Sequence, residues 1–256
     1  AVATVISQIL SCIFAMRFLF GKKVPVKITF GQYDTKIMNR ILSLGFSPFL
    51  ILATDSLILI LLNTILQKYG GKSQGDMFIT CATIAQSYLL LITSSMIGIS
   101  GGTQAILSYN YGARRADRVK DAERNILGVM LIFTTIMFLL SRLVPRYFVL
   151  LFTSDPQYIS FSVWAIHTYT LMIIPLSFQY VFVDGLTALD RPKTGLALSV
   201  TRKSLFVLSA AILPVFFDAK AAFFAEPVAD GVCSVLSTVV FLLLINRHLQ
   251  KRCQTV

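Results

Sequence analysis

Charged residues are scarce in this chain of 256 residues: they make up 14% of it, whereas hydrophobic residues make up 55%. A soluble domain usually carries about 25% charged residues. A water-soluble core cannot hide so much apolar surface, since even a domain of about 300 residues buries only about three quarters of its surface. The composition therefore excludes an ordinary soluble domain and indicates a protein whose solvent is the lipid bilayer.

Histidine and cysteine are too few for the chemistry that they often perform. The two histidines, His167 and His248, cannot build a histidine-rich metal site, and the four cysteines show neither metal-ligand nor disulfide spacing. The sequence also lacks a P-loop, a dinucleotide-binding fingerprint and an HExxH zinc motif. We therefore predict that the chain is not an enzyme and holds no metal or cofactor. Any energy for its activity should come from a gradient of protons or sodium ions.

Acidic residues are outnumbered, with 12 Asp and Glu against 23 Lys and Arg, which gives a net charge of +11. In a soluble protein this excess would suggest nucleic acid as a partner. Here the basic residues lie between apolar runs, so they indicate topology and lipid headgroups, with no nucleic-acid partner. The chain starts at Ala1 inside an apolar run without the features of a signal peptide, so we expect it to be a piece of a longer protein.

Apolar runs of about 20 residues, the length that crosses about 30 Å of hydrocarbon, occur seven times. They predict an all-α integral membrane protein, a bundle of about seven transmembrane helices. The fifth run is long enough to tilt or bend, and only a tight turn separates the last two, which predicts an antiparallel hairpin. The predicted helices are 2–20, 42–67, 77–99, 125–145, 158–187, 194–217 and 222–246.

Most lysines and arginines fall in alternate connections between these runs. The connections rich in lysine and arginine are the first, the third, the fifth and the C-terminal tail. We assign Arg202 to the fifth connection. The positive-inside rule then places the C-terminus of the chain in the cytoplasm of a multi-pass protein of the plasma membrane. The third connection includes the stretch 108–125, which we predict to be a polar, interfacial helix.

Four acids lie inside predicted spans, where an ionisable side chain is costly and is a functional candidate by default: Asp55, Asp184, Glu226 and Asp230. A carboxyl group in a low-dielectric site can exchange a proton, or hold a sodium ion or a cationic compound when ionised. Structural roles stay open for each. Glu226 and Asp230, four residues apart on one helix face, could cap the last helix. Asp184 could pair with Arg191, and Asp55 could form a buried hydrogen bond.

Other polar side chains within spans are weaker candidates. His167 is a structural histidine or a proton relay. Asn63, Gln179 and Tyr180 line a cavity or join helices through hydrogen bonds.

One stretch, Gly102 to Ala113, resembles a known pattern. Gly102, Gln104, Asn110, Tyr111, Gly112 and Ala113, with Arg118 beyond them, resemble the loop after the eighth helix of multidrug and toxic compound extrusion (MATE) transporters. The stretch 45–48 resembles the start of the seventh helix of that family, and 225–230 resembles the opening of the twelfth helix in a prokaryotic branch. Order and spacing fit over nearly the whole chain.

The resemblance implies two six-helix lobes with the substrate between them and proton or sodium coupling. This chain would be the sixth helix with the inter-lobe cytoplasmic loop, residues 1–38, and the C-terminal lobe, residues 39–256. Its partners would be the bilayer, an N-terminal lobe of the same protein and small cationic or amphipathic compounds. In some members, acids of the seventh and tenth helices serve a cation site, and Asp55 and Asp184 lie in those helices. Relatives often have the sequence Gln-Ala-x-Gly after the tenth helix. This chain departs from that pattern, because its residues 187–190 are Thr-Ala-Leu-Asp.

The leading hypothesis is a secondary antiporter that exports cationic amphipathic compounds. A flippase for lipid-linked precursors, of the same superfamily, would need an arginine-rich cavity, and only Arg17, Arg142 and Arg202 come near span ends. A seven-helix receptor would match the number of spans but gives no reason for Asp55.

Overall fold

The structure, a computed structural model, describes residues 2–20 and 34–254, although some side chains within the helices, including those of 43–53 and 246–254, are not described. Two compact units divide the chain, Ala1–Leu52 and Ala53–Val256. The boundary predicted from the resemblance, between residues 38 and 39, stays a prediction.

Helices account for the described secondary structure, and no strand occurs within residues 2–20 and 34–254. Bilayer-crossing segments must satisfy their backbone groups internally, which helices do. A short 3-10 helix, Ala219–Phe224, precedes the last α-helix. The α-helices are α1 (Val2–Leu19), α2 (Thr35–Gly112, with non-helical backbone at Gly71), α3 (Ala116–Leu143), α4 (Pro145–Val149), α5 (Pro156–Tyr169), α6 (Ile173–Ala188), α7 (Pro192–Phe216) and α8 (Ala225–Gln254).

Four described segments are long and apolar enough to cross a membrane, and α5 with α6 makes a fifth if the bent pair is one span. The four are Gln74–Gly112, Ala116–Leu143, Pro192–Phe216 and Ala219–Ile245. In α1 the apolar stretch is shorter, Val5–Phe14, and the second predicted span, 42–67, falls partly on residues without described side chains. The all-α membrane architecture is thus confirmed, and the total of seven spans stays a prediction.

The predicted fifth span is bent by 47° between α5 and α6. Pro175, the third residue of α6, has no N–H to donate to the preceding turn, so the helix does not continue across residues 170–172. The expected bend is therefore confirmed. The predicted hairpin is confirmed as well, because α7 and α8 pack against each other on either side of the short 3-10 helix.

The polar stretch 108–125 is not one interfacial helix, so that prediction is wrong. Its first residues continue α2 as far as Gly112, and its last residues begin α3 at Ala116. Arg114, between them, has a φ of 57°. The backbone N–H of Arg115 donates to the carbonyl of Asn110, as in a helix end with one left-handed residue.

Asp190 occupies the position where the resembling family has glycine, and the structure explains the exchange. Its φ is 63°, in the left-handed region that aspartate tolerates better than most residues. The N–H of Arg191 donates to the carbonyl of Leu186, so the end of α6 is closed without glycine.

The centre of the larger unit is α6, which packs against α3, α7 and α8. Its buried side chains include Leu176, Val181 and Leu186. Side chains that project from α6 therefore meet three neighbouring helices, and this arrangement brings the candidate site together.

Candidate functional site

An ionic cluster joins α7 to α8. Nη1 of Arg202 lies 2.8 Å from Oδ1 of Asp230 and 3.3 Å from Oε1 of Glu226. The Asp230 side chain is 1% exposed, and its second oxygen has no protein partner. One guanidinium group thus faces two carboxylates within the bundle. The same-face prediction for the two acids is confirmed.

Arg202 is a residue that the sequence analysis placed in a cytoplasmic connection, and that assignment is wrong. It follows the first residue of α7, Pro192, by ten positions. At 1.5 Å per residue it lies about 15 Å along the helix. The signal was available in the sequence: a lone arginine lies deep in one arm of a predicted hairpin, and two acids share a face of the other arm.

Tyr180 and Gln179 are neighbouring residues of α6. The charges of Arg202, Asp230 and Asp184 all act on the Tyr180 hydroxyl. Gln179 is buried, and its side-chain oxygen has no protein partner. These contacts are compatible with the predicted alternatives of a cavity lining and a helix-joining role, and both stay predictions.

Asp184 forms the second acidic group together with α2. The hydroxyl of Ser100 donates a hydrogen bond to the Asp184 carboxylate, and the Gln104 side chain lies close to that carboxylate. The predicted alternative for Asp184, a pair with Arg191, stays a prediction. Gln104 comes from the family motif, so at least one motif residue contacts an intramembrane acid.

Glu123 of α3 is the second residue that the sequence analysis missed. It is 5% exposed, and its Oε1 has no protein partner. The carboxylate lies against Gly185 of α6, the residue after Asp184, and the two carboxylates repel each other. Glu123 was hidden in the sequence because it lies in the stretch 108–125, where charged residues suggested a solvated surface.

The remaining motif residues mark the end of α2 and the start of α3. The side-chain amide of Asn110 donates to the carbonyl of Ile106 at 2.8 Å, and Tyr111 is buried. Gly102, Gly112, Ala113 and Arg118 are exposed.

His167 belongs to a different part of the larger unit, near the end of α3. Nη1 of Arg142 donates to the backbone carbonyl of His167 at 2.8 Å, and the imidazole forms a hydrogen bond with the backbone of Ser141. Its Nε2 is buried without a protein partner. These bonds favour the structural role over a proton relay, and both roles stay predictions.

Two candidate site residues, Asp55 and Asn63, lie in the segment that resembles the seventh helix of the family, and their roles stay predictions. The side chain of Asp55 lies outside the described part of the structure. Asn63 is half-buried in α2. Within the described residues, no group of three or more His, Cys, Asp or Glu side chains could hold a metal ion.

Membrane-spanning helices that bury acids and an arginine between them define a multi-pass membrane protein of the transporter class. The family model called MatE matches residues 49–213, most of the larger unit. The chain belongs to the MatE family of membrane transporters.

Known relatives agree with this assignment. A protein of Shewanella oneidensis (strain MR-1) named FAD transporter is 26% identical over 136 residues, which cover 53% of this chain and 29% of the relative. The crystal structure of MATE in complex with MaL6 matches 97% of this chain and 56% of its own, with a TM-score of 0.82 and 18% identity.

The outward-facing conformation of a multidrug resistance MATE family transporter of the MOP superfamily gives the same coverage, identity and TM-score. At this level of identity the likeness establishes the fold alone. The chain spans about half the length of the solved relatives and less than a third of the curated one.

Proposed function

We propose that this chain is part of a secondary active antiporter that exports cationic amphipathic compounds in exchange for protons or sodium ions. The observation that carries the proposal is a pair of acids, the buried Asp230 and the half-buried Asp184, inside membrane spans of a MatE-family protein. An ionisable group in a span is costly to maintain and usually marks an ion or substrate pathway.

The Arg202 cluster suggests how such a protein would exchange cations. The second carboxylate oxygen of Asp230 is buried without a protein partner beside the Arg202 guanidinium group, so a cation that reaches Asp230 could replace Arg202 as its counter-charge. A coupling ion and a cationic compound would compete for Asp230 and bind in alternation. Movement of α7 against α8 would then change the exposure of the cluster.

The test is efflux of a cationic dye from everted vesicles that contain the full-length gene product. The proton and sodium gradients are collapsed separately, and D184N and D230N are compared with D121N, because Asp121 is exposed on α3. We expect efflux to stop when one gradient is collapsed, and to be lost in D184N and D230N but not in D121N. Efflux that is indifferent to both gradients would refute the antiporter.

A second candidate cargo, an anionic aromatic compound of the flavin nucleotide type, is favoured by the name of the Shewanella relative. Arg142 supports it, since its Nη2 is buried without a protein partner and could receive an oxyanion. Competition between the dye and flavin adenine dinucleotide in the same vesicles separates the two cargoes. The cargo that saturates transport at the lower concentration identifies the class.

The setting of the protein is part of the proposal: a plasma membrane, with the C-terminus in the cytoplasm and an N-terminal lobe completing the substrate pathway. The basic connections support this orientation, and the coverage of about half of the solved relatives supports the second lobe. The flippase and receptor alternatives gain no support from the described contacts. The described arginines of the spans do not gather into one cavity, since Arg142 contacts α5 and Arg202 contacts α8.

A further inference from the structure

A cavity of about 890 Å³ lies where three connections of the larger unit meet. Gln74 lines it just after the break in α2 at Gly71, Gln157 lines it at the start of α5, and Lys220 lines it from the 3-10 helix before α8. These connections alternate along the chain with those rich in lysine and arginine, so the cavity lies at the opposite end of the spans. Sites for small molecules have volumes of about 300–1,000 Å³, so this cavity has room for a ligand of fused rings.

Two aromatic rings on successive turns of α5 form one wall of the cavity. The centroids of Phe161 and Trp164 are 5.1 Å apart, and both residues line the cavity. The buried ring of Phe223 supports this wall, because its centroid lies 5.3 Å from that of Phe161 and 5.5 Å from that of Trp164. Phe78 of α2 contacts Phe161 at 5.1 Å. Core residues therefore hold the wall in place before a ligand arrives, which lowers the entropic cost of binding.

Lys220 supplies the charge of the cavity. Its Nζ lies 5.8 Å from the centroid of the Phe161 ring, and the residue is exposed. Residues three apart in a 3-10 helix lie on the same side, so Lys220 and the supporting ring of Phe223 share one side of that helix. Among the described side chains, no acid pairs with Lys220 and no acid lines the cavity. An ammonium group without an acidic neighbour at an aromatic wall favours a ligand with negative charge.

The rest of the lining is neutral. Gln74, Gln157 and Ser160 are exposed, and their side chains can donate or accept hydrogen bonds. Tryptophan and lysine at the end of a span also occur as anchors in the lipid headgroup region. An anchor needs no cavity, whereas Trp164 and Lys220 share a concave site with hydrogen-bonding groups from two other segments. The arrangement therefore favours a bound molecule over simple anchoring.

We propose that this cavity, the Lys220 cavity, binds a planar aromatic compound that carries one negative charge, such as an aromatic carboxylate or sulfonate. The ring system stacks against Trp164 and Phe161, and the oxyanion contacts the ammonium group of Lys220. The site uses neither Asp184 nor Asp230, the acids on which the proposed antiport rests, so either proposal can fail without the other. In the proposed orientation the cavity faces the outside of the cell.

The experiment measures binding of tritiated naphthalene-2-sulfonate to the purified full-length gene product in phosphatidylcholine nanodiscs, with binding to empty nanodiscs subtracted. The variants are K220M, K220R and W164A. The matched control is K68M, because Lys68 is also an exposed lysine, with its Nζ 5.6 Å from the centroid of the Tyr69 ring, but does not line the cavity. We expect binding to weaken about tenfold in K220M and about fivefold in W164A, and to stay unchanged in K220R and K68M.

Charge and salt distinguish the proposed contact from a structural role of Lys220. Raising the salt concentration should weaken binding to the unchanged protein but have little effect on K220M, because only the unchanged protein forms the ion pair. The cationic analogue 2-naphthylmethylammonium should not displace the sulfonate. Since Lys220 is exposed, K220M should unfold at the same temperature as K68M, and normal binding in K220R would show that the charge is what the site requires.

D184N should bind the sulfonate as the unchanged protein does. Absence of saturable binding to the unchanged protein, equal binding in K220M, or displacement by the cationic analogue overturns the proposal. Loss of binding in D184N overturns it as well, because the probe would then depend on the acids between the spans. If the sulfonate binds as expected while dye efflux is indifferent to both gradients, the Lys220 cavity stands and the proposed antiport fails.

Discussion

Two pairs of acids lie in the same helix bundle, but their surroundings differ. Glu226 and Asp230 contact the guanidinium group of Arg202, whereas Glu123 and Asp184 have no basic partner among the described residues. The described residues supply a counter-charge to the first pair and none to the second. The Arg202 cluster should therefore contribute to stability through its counter-ion, whereas the buried carboxylate of Glu123 should lower stability when it is ionised.

The largest effect is expected from R202M, which removes the internal counter-ion. The buried carboxylate of Asp230 then loses its counter-charge, and breaking a buried ion pair in this way costs about 3–5 kcal/mol. The measurement is thermal unfolding of the purified full-length gene product, with R118M as a control because Arg118 is exposed. The triple variant R202M/E226Q/D230N should recover part of the loss. A loss in R202M no larger than in R118M would mean that Arg202 does not neutralise the pair.

The second largest effect is expected from D230N, and its comparison with E226Q measures how much each acid of the cluster contributes to stability. Asp230 is 2.8 Å from Arg202 and almost fully buried, whereas Glu226 is 3.3 Å away and 16% exposed. We expect D230N to destabilise the protein by about 2–3 kcal/mol and E226Q by about 1 kcal/mol or less. Denaturation of both variants in the same detergent measures the difference. Equal losses would show that the shorter bond has no special weight.

G185A tests the contact that holds the second pair together. The added methyl group meets the Glu123 carboxylate, so we expect a loss of about 1–3 kcal/mol from overpacking. The same change in an E123A background should cost much less, because the group that it meets is absent. This double-mutant cycle isolates the contact, and an equal cost in both backgrounds would place Glu123 elsewhere.

The smallest effect, and the only stabilising one, is expected for E123Q in sodium-free buffer. Replacing an unpaired buried carboxylate with a neutral amide should raise stability by about 1 kcal/mol, since a buried charge without a partner is penalised. The opposite signs of E123Q and D230N express the comparison between the two pairs most directly. Calorimetry in choline and in sodium chloride measures the change, and a destabilised E123Q in choline would contradict it.

The helices were largely predictable, because a membrane span is recognised in the sequence as about 20 consecutive apolar residues. The predicted segments 194–217 and 222–246 match α7 and α8 closely. Even the bend between α5 and α6 follows from local chemistry, as Pro175 removes one backbone donor. The stretch 108–125 was predicted wrongly because its charges suggested a solvated helix, whereas it contains the end of one span and the start of another.

The candidate site was only half predictable. Asp184, Glu226 and Asp230 were identified because acids are rare in apolar segments. That rule can be applied without knowing which residues lie next to each acid in the fold. Arg202 and Glu123 were missed because charged residues next to a basic connection were assigned to that connection, and their neighbours on other helices were not known. Their roles depend on α3, α6, α7 and α8 packing together, a relation between residues that are far apart in the chain.

The sequence by itself determined that this protein is an all-helical membrane protein of the MATE type, because hydropathy, span length and the Gly102–Ala113 pattern are properties of neighbouring residues. Only the tertiary structure decided which intramembrane charges are paired. The energy of a buried charge depends on groups within a few ångströms, and those groups come from other helices. Arg202 is thus the counter-ion of Asp230, whereas Oε1 of Glu123 has no protein partner.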